Sequence, residues 1–141
     1  MSKSTEKDME KLAFQLYRYL YDKDLAGDLR IYYKGGHCIS SSYYGGGNVH
    51  FEKAVHTFEG KDYEYYYCTE EIKGSTYSEY SNDDTLSVST EGGLCSVLNY
   101  YCDYDYCDKC DKINEDLNKM FEEYGFYFEQ GHHWNFSLYE I

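Results

Sequence analysis

Three cysteines stand within nine residues, in the order Cys102-x4-Cys107-x2-Cys110. Thiols at this spacing are candidate metal ligands, and Cys95, Cys38, His132 or His133 could complete a four-ligand zinc set. The spacing also equals the first three positions of a plant-type iron–sulfur loop. Two features oppose a metal. No second Cys-x2-Cys exists, and the intervening residues are Asp103, Tyr104, Asp105, Tyr106, Asp108 and Lys109. Negative neighbours raise thiol pKa values and disfavour the thiolate that a metal needs. Ordinary thiols and no cofactor are expected, with Cys102, Cys107, Cys110 and His132 as the ligands if a metal is held. Adjacent side chains on a strand point to opposite faces, so His132 and His133 cannot serve one site without a bend. They read as a turn pair beside Trp134. His50 and His56 share strand parity and, with nearby acids, are the arrangement left for acid–base chemistry. No nucleophile elbow, HExxH or Walker loop occurs. Gly45-Gly46-Gly47 lacks a Lys and a following helix, so it reads as a hairpin turn rather than a phosphate cradle. No enzymatic activity is expected.

The carboxylates carry the strongest signal. The chain holds 13 Lys plus Arg against 26 Asp plus Glu, a net charge of -13. Residues 1–61 carry 9 basic and 8 acidic side chains, whereas residues 62–129 carry 4 basic and 17 acidic ones. The whole excess therefore lies in one continuous half. Within it, acids interleave with tyrosines at Asp62, Glu64, Glu70, Glu71, Glu79, Asp83 and Asp84, and again at Asp103, Tyr104, Asp105, Tyr106 and Asp108. Such residues form either a solvated face that keeps a small protein soluble or a carboxylate array spaced like phosphates. An array of that kind would occupy a basic groove built for nucleic acid, with Tyr supplying rigid contact area. These twelve residues are the candidate partner-binding set. The charge argues against direct nucleic-acid binding and against an anionic membrane surface.

The elements that must position these groups follow from composition and periodicity. Leu, Ile, Val and Phe make up 26 of 141 residues, a content that with high net charge flags disorder. The 20 tyrosines reverse that reading, because each brings a large ring and strong strand preference. Met9, Leu12, Ala13, Leu16 and Leu20 recur on one helical face, with a start at Thr5–Asp8 and a stop at Gly27. Strands are expected at Leu29–Tyr33, Cys38–Tyr44, Val49–Phe58, Tyr63–Thr69, Thr76–Tyr80 and Leu86–Thr90. Gly-rich or Asn-Asp turns separate them, as in an antiparallel meander. A short helix is expected at Leu94–Tyr101 and a longer one at Asp111–Tyr124, ended by Gly125. Phe126 to Leu138 reads as a C-terminal hairpin. The fold class is α+β in a single domain over 1–141. An antiparallel sheet of about five to seven strands has one face packed by the N-terminal helix and by one or two helices of the C-terminal half.

Met1 to Lys11 is polar throughout and has no apolar signal region, so a cytoplasmic protein with reduced thiols is expected. In size and composition the chain resembles the phage-encoded acidic inhibitors of bacterial defence, anti-CRISPR and anti-restriction proteins that mimic nucleic acid. The resemblance implies a stoichiometric inhibitor in the host cytoplasm, docked on a basic nucleic-acid-binding protein such as a CRISPR effector nuclease. Monomer and dimer are both open. Three other classes stay open: an enzyme using His50, His56 and nearby acids, a metal-stabilised adaptor built on the cysteines, and a binder that sequesters a nucleotide signal. The last has only Arg18, Arg30, Lys34 and Lys53 as phosphate partners. Elemental analysis of the purified protein should find less than one equivalent of zinc or iron. One tightly held metal per chain, with loss of fold on chelation, would establish the adaptor instead.

Overall fold

The computed structural model describes residues 5–42, 49–99, 104–132 and 134–141, with 104–108 as backbone only. Helix α1 spans Glu6–Asp22. Its cap is Thr5, whose Oγ1 accepts the backbone N–H of Asp8 at 3.1 Å. Glu6 and Asp8 place negative charge in the first turn, where the helix dipole favours it. The expected stop at Gly27 is corrected: the helix ends five residues earlier. Asp24 takes the left-handed position at φ 58, and the Leu25 N–H returns to the Leu20 carbonyl at 2.8 Å. Asp tolerates this conformation, so no glycine is needed to end the helix.

Seven strands form one open antiparallel sheet. They are β1 (Leu29–Tyr33), β2 (His37–Ser40), β3 (Phe51–Phe58), β4 (Lys61–Cys68), β5 (Leu86–Thr90), β6 (Phe126–Gln130) and β7 (Asn135–Glu140). Their order is β3-β4-β2-β1-β5-β7-β6. The simple meander is therefore corrected: β2 pairs with β4 rather than with β3, through Ile39–Tyr67 and Ser40–Tyr66. Burial explains the exchange. Tyr63, Tyr65 and Tyr67 of β4 pack onto the main core, whereas only Phe51 of β3 is buried. The more polar strand takes the edge, where unpaired backbone meets water.

The strand expected at Thr76–Tyr80 is also corrected. That stretch is a single 3-10 turn at Gly74–Thr76 followed by loop. It crosses the sheet instead of pairing within it. The Asn135 side-chain amide donates to Ser78 Oγ at 2.7 Å, and Ser137 Oγ donates to the Tyr80 carbonyl at 2.7 Å. Side chains thus meet polar needs that a ladder would otherwise meet.

The three helices among the described residues share one core with one face of the sheet. Helix α2 (Gly93–Leu98) is shorter than expected, and its expected end at Tyr101 lies outside the described residues. Helix α3 (Tyr104–Glu123) starts seven residues before the expected Asp111 and takes in the cysteine-rich stretch. Asp105 and Asp108 fall in its first turns, where acids favour a helix. Leu12, Leu16, Val97, Ile113, Leu117 and Phe121 meet Ile31, Ile39, Val88, Phe136 and Leu138 there. Full burial of each such side chain contributes about 1.5–3 kcal/mol. Gly125, at φ +86, turns the chain from α3 into β6, and the β6–β7 hairpin follows as expected. On the opposite face a small cluster of Tyr32, Cys38, Phe51 and Ile72 lies partly under the 69–85 loop.

The junction between α1 and α2 is tight at one point. A Cβ at Gly92 would collide with the Gly27 carbonyl oxygen, a backbone atom that cannot swing aside, while a Cβ at Gly27 meets nothing within 4 Å. Gly92→Ala should destabilise the fold by about 1–3 kcal/mol, and Gly27→Ala should stay within about 0.5 kcal/mol of wild type. Urea unfolding of the two variants checks this, and equal losses would show that the junction has slack.

Candidate functional site

The candidate acids do not form one strip. Asp62 and Glu64 lie on β4, on the face away from the helices; Asp62 accepts Thr57 Oγ1 at 2.7 Å and Glu64 pairs with Lys53 at 3.7 Å. Glu70 and Glu71 follow the other end of β4, beside the β1–β2 turn, where the Glu71 side chain packs over Gly36. Asp83 lines a small crevice with Gly36 and Ile72, so the 69–85 loop brings Asp83 and Asp84 to that same end. Asp83 is held by the Ser75 N–H at 3.2 Å and by the Ser75 hydroxyl. Glu79 lies farther along the loop, one residue before Tyr80, against which Gly131 of the β6–β7 turn packs. Asp103 lies outside the described residues, and Tyr104, Asp105, Tyr106 and Asp108 are placed only as backbone of α3. The structure thus brings together Glu70, Glu71, Asp83 and Asp84. It sets Asp62 and Glu64 apart from them, and Glu79 apart from both.

Few cations compensate these carboxylates. No Lys or Arg lies within 4 Å of Glu70, Glu71, Glu79, Asp83 or Asp84 among the described residues. The cations that do pair are committed elsewhere. Lys61 holds Asp22 at 2.6 Å and keeps its carboxyl below the ordinary range, helped by the Tyr63 hydroxyl. Lys112 bridges Asp116 at 3.0 Å, four residues along α3.

The cysteine and histidine candidates also separate. Cys110 is fully buried in the main core. Cys102 lies outside the described residues, as does His133, and the Cys107 side chain is not described. His132 stacks on Trp134, with ring centroids 4.9 Å apart, and meets Tyr80 edge-on. Among the described residues, no three His, Cys, Asp or Glu side chains are grouped to hold a metal ion. His56 packs against Phe14 and contacts Arg18 at 3.0 Å; burial, then the guanidinium, hold its pKa below the ordinary value. His50 sits beside Glu52, about 20 Å of strand away. The two do not share a site. Nor do the four cations of the nucleotide reading converge. Arg18 lies over Phe58, Lys34 is at the β1–β2 turn, Lys53 is on the edge strand and Arg30 is in mid-sheet.

A cleft of about 250 Å³ lies on the face opposite the helices. The register of β1 and β5 builds it. Arg30 pairs with Ser89, Tyr32 pairs with Ser87, and the Glu91 N–H reaches the Asp28 carbonyl at 3.3 Å. Side chains two apart on a strand share a face, so Arg30 and Tyr32 line up along β1, and Asp28, in the turn before the strand, also lines the cleft. Arg30 Nη1 donates to Tyr32 Oη at 3.1 Å, and its guanidinium lies 5.1 Å from the Phe51 ring centroid. Burial pushes the Tyr32 phenol up to about 12. Tyr77 stacks over Tyr32, at 6.0 Å between centroids, and Trp134 closes another side. From the sequence, Arg30 stands only as one of four candidate phosphate partners, and the cleft around it depends on strand register. A further signal is that Arg30 alternates with Leu29 and Ile31 in one strand.

Comparison with protein-family models, with curated proteins and with solved structures gives no match, so the geometry alone carries the functional reading. No helix among the described residues is long and apolar enough to cross a membrane.

The helix–helix contact of α1 with α3 gives a pH signature. Tyr19 Oη donates to Asp116 Oδ2 at 2.7 Å, and this bond, with Lys112, holds the Asp116 carboxyl below its ordinary value. A lowered folded-state pKa adds stability that is present above the unfolded value and is lost as pH falls through the folded one. Asp116→Asn should lower stability at neutral pH by less than about 1 kcal/mol, because Lys112 is exposed. The gap to wild type should close as pH drops below about 4. Urea titrations of both proteins from neutral to acid pH read this directly, and a gap that widens with acid would contradict it.

Proposed function

We propose that this chain is a non-enzymatic inhibitor of a bacterial defence nuclease, of the anti-CRISPR or anti-restriction kind. In this reading it places carboxylates where a basic groove expects nucleic-acid phosphates. One observation carries the reading. The carboxylates at the β1–β2 end, Glu70, Glu71, Asp83 and Asp84, make no ion pair within 4 Å with the cations nearby, Lys34 and Lys73.

Uncompensated acids cost the free fold through mutual repulsion. A basic partner removes that cost, and a fixed array meets a fixed groove with little ordering entropy. Charge complementarity of this kind speeds encounter and weakens as salt screens it. Tyr77 and Tyr80, in the same 69–85 loop, are exposed and offer rigid contact area. Docking would take place in the host cytoplasm, where such nucleases act.

The test is competition for the nucleic-acid groove of purified CRISPR effector and restriction nucleases. Wild type should displace bound DNA or RNA at low salt, and the displacement should fade as NaCl rises beyond about 0.3 M. Glu70→Lys, Glu71→Lys and Asp84→Lys combined leave the Ser75 anchor of Asp83 intact. This variant should stay folded and weaken competition by about tenfold or more. A second variant, Asp103→Lys, Asp105→Lys and Asp108→Lys, probes the start of α3. Two folded variants that compete as well as wild type would leave the acids as a solvated face.

A further inference from the structure

The cleft over β1 and β5 has a composition that the acidic surface does not explain. Its floor carries one cation, Arg30, flanked by the hydroxyls of Ser40 and Ser89. Its mouth carries two carboxylates, Asp28 and Glu91, which are cross-strand neighbours and exposed. Its walls are aromatic, with Tyr32 and Tyr77 on one side and Trp134 on another.

This arrangement selects for charge of both signs. An anionic group is drawn to the floor, where Arg30 is half-buried against Phe51 and offers a planar fork of donors. A cationic group is drawn to the mouth. Asp28, Arg30 and Glu91 line the one cleft, so the two poles are close enough for one small molecule to span. The rings between them favour a planar body. A phosphate dianion fits poorly, since the cleft holds two carboxylates against one guanidinium in a chain of net charge -13. A simple amine meets the like charge of the Arg30 guanidinium at the floor. The volume, about 250 Å³, lies below that of drug-sized sites and suits a ligand of amino-acid size.

We propose that this cleft binds a free α-amino acid with a planar side chain, its carboxylate on Arg30 and its ammonium between Asp28 and Glu91. The inference goes beyond the acidic surface and stands whatever that surface docks on. The ligand is read by its two charges together, and either charge alone is insufficient.

Trp134 is the one tryptophan of the chain and lines the cleft, so its emission reports on occupancy. The probe is L-phenylalanine, which is transparent where tryptophan is excited. It should change Trp134 emission saturably below about 10 mM, with calorimetry giving the same dissociation constant. Phenylpropionate, which lacks the ammonium, and phenethylamine, which lacks the carboxylate, should each bind about tenfold or more weakly. The variants should cross over. Arg30→Gln should weaken phenylalanine binding about tenfold or more and leave phenethylamine unchanged. Glu91→Gln, at an exposed position that folding does not need, should weaken phenylalanine and leave phenylpropionate unchanged. A purely structural role for either residue would produce no such crossover. No saturation with phenylalanine, equal binding of phenethylamine, or tighter binding of adenosine monophosphate would each overturn the proposal.

Discussion

A buried phenol has to find an acceptor for its hydroxyl, and this requirement organises the molecule. With 20 tyrosines and few aliphatic residues, the chain can bury enough apolar surface only by burying rings that end in a polar atom. The hydroxyls therefore sit at the rims of the core and tie its seams. Tyr17 on α1 donates to the Glu64 carbonyl of β4 at 2.6 Å. Tyr63 on β4 returns the contact to Asp22 of α1 at 3.0 Å. Tyr19 joins α1 to Asp116 of α3, and Tyr124 at the end of α3 reaches Gln15 of α1 at 3.1 Å. Burial holds the Tyr17, Tyr19 and Tyr33 phenols above their ordinary pKa, so they stay protonated as donors throughout the pH range of the fold.

The excess of tyrosine and the excess of acid are thereby linked. Asp22, Glu52 and Asp116 each accept a tyrosine hydroxyl, so part of the negative charge serves the core. The cations are drawn into the same frame: Lys61 onto Asp22, Lys53 onto Glu64, Arg18 onto the Phe58 ring at 3.7 Å. What remains outside this frame is a set of acids that pair with neither a tyrosine hydroxyl nor a cation, gathered at the β1–β2 turn. The surface reading rests on that remainder rather than on the total charge.

The parts legible in the sequence are those set by local period. Met9, Leu12 and Leu16 mark a helix whatever they pack against, and so do Ile113, Leu117 and Phe121. β1, β5 and the C-terminal hairpin stand out by the same logic. Strand order was hidden, because it depends on which strand buries its tyrosines, a property of the assembled layers. Thr76–Tyr80 has strand-forming residues, yet Ser78 and Tyr80 are satisfied by β7 from above the sheet. The first two turns of α3 lie outside the expected helix because they precede the apolar period that begins at Ile113. Asp105 and Asp108 at a helix start were the better signal. The acids of the site were legible as a composition, but their scatter over three regions required the topology. Arg30 was legible as a candidate phosphate partner and as an oddity in its strand, but the cleft around it was not.

The strand order also decides how the chain must assemble in time. β1–β2, β3–β4 and β6–β7 are hairpins whose partners are near in sequence, and hairpins close within about 1–10 μs. The central seam is different: β1 waits for β5, more than fifty residues downstream, and β5 in turn waits for β7. During synthesis, β1 therefore leaves the ribosome with one flank unpaired until most of the chain has followed. The sequence contains no proline, so no prolyl isomerisation delays this closure. Loop-closure entropy then weighs on its rate, and the β1–β5–β7 seam closes only after the local hairpins can form.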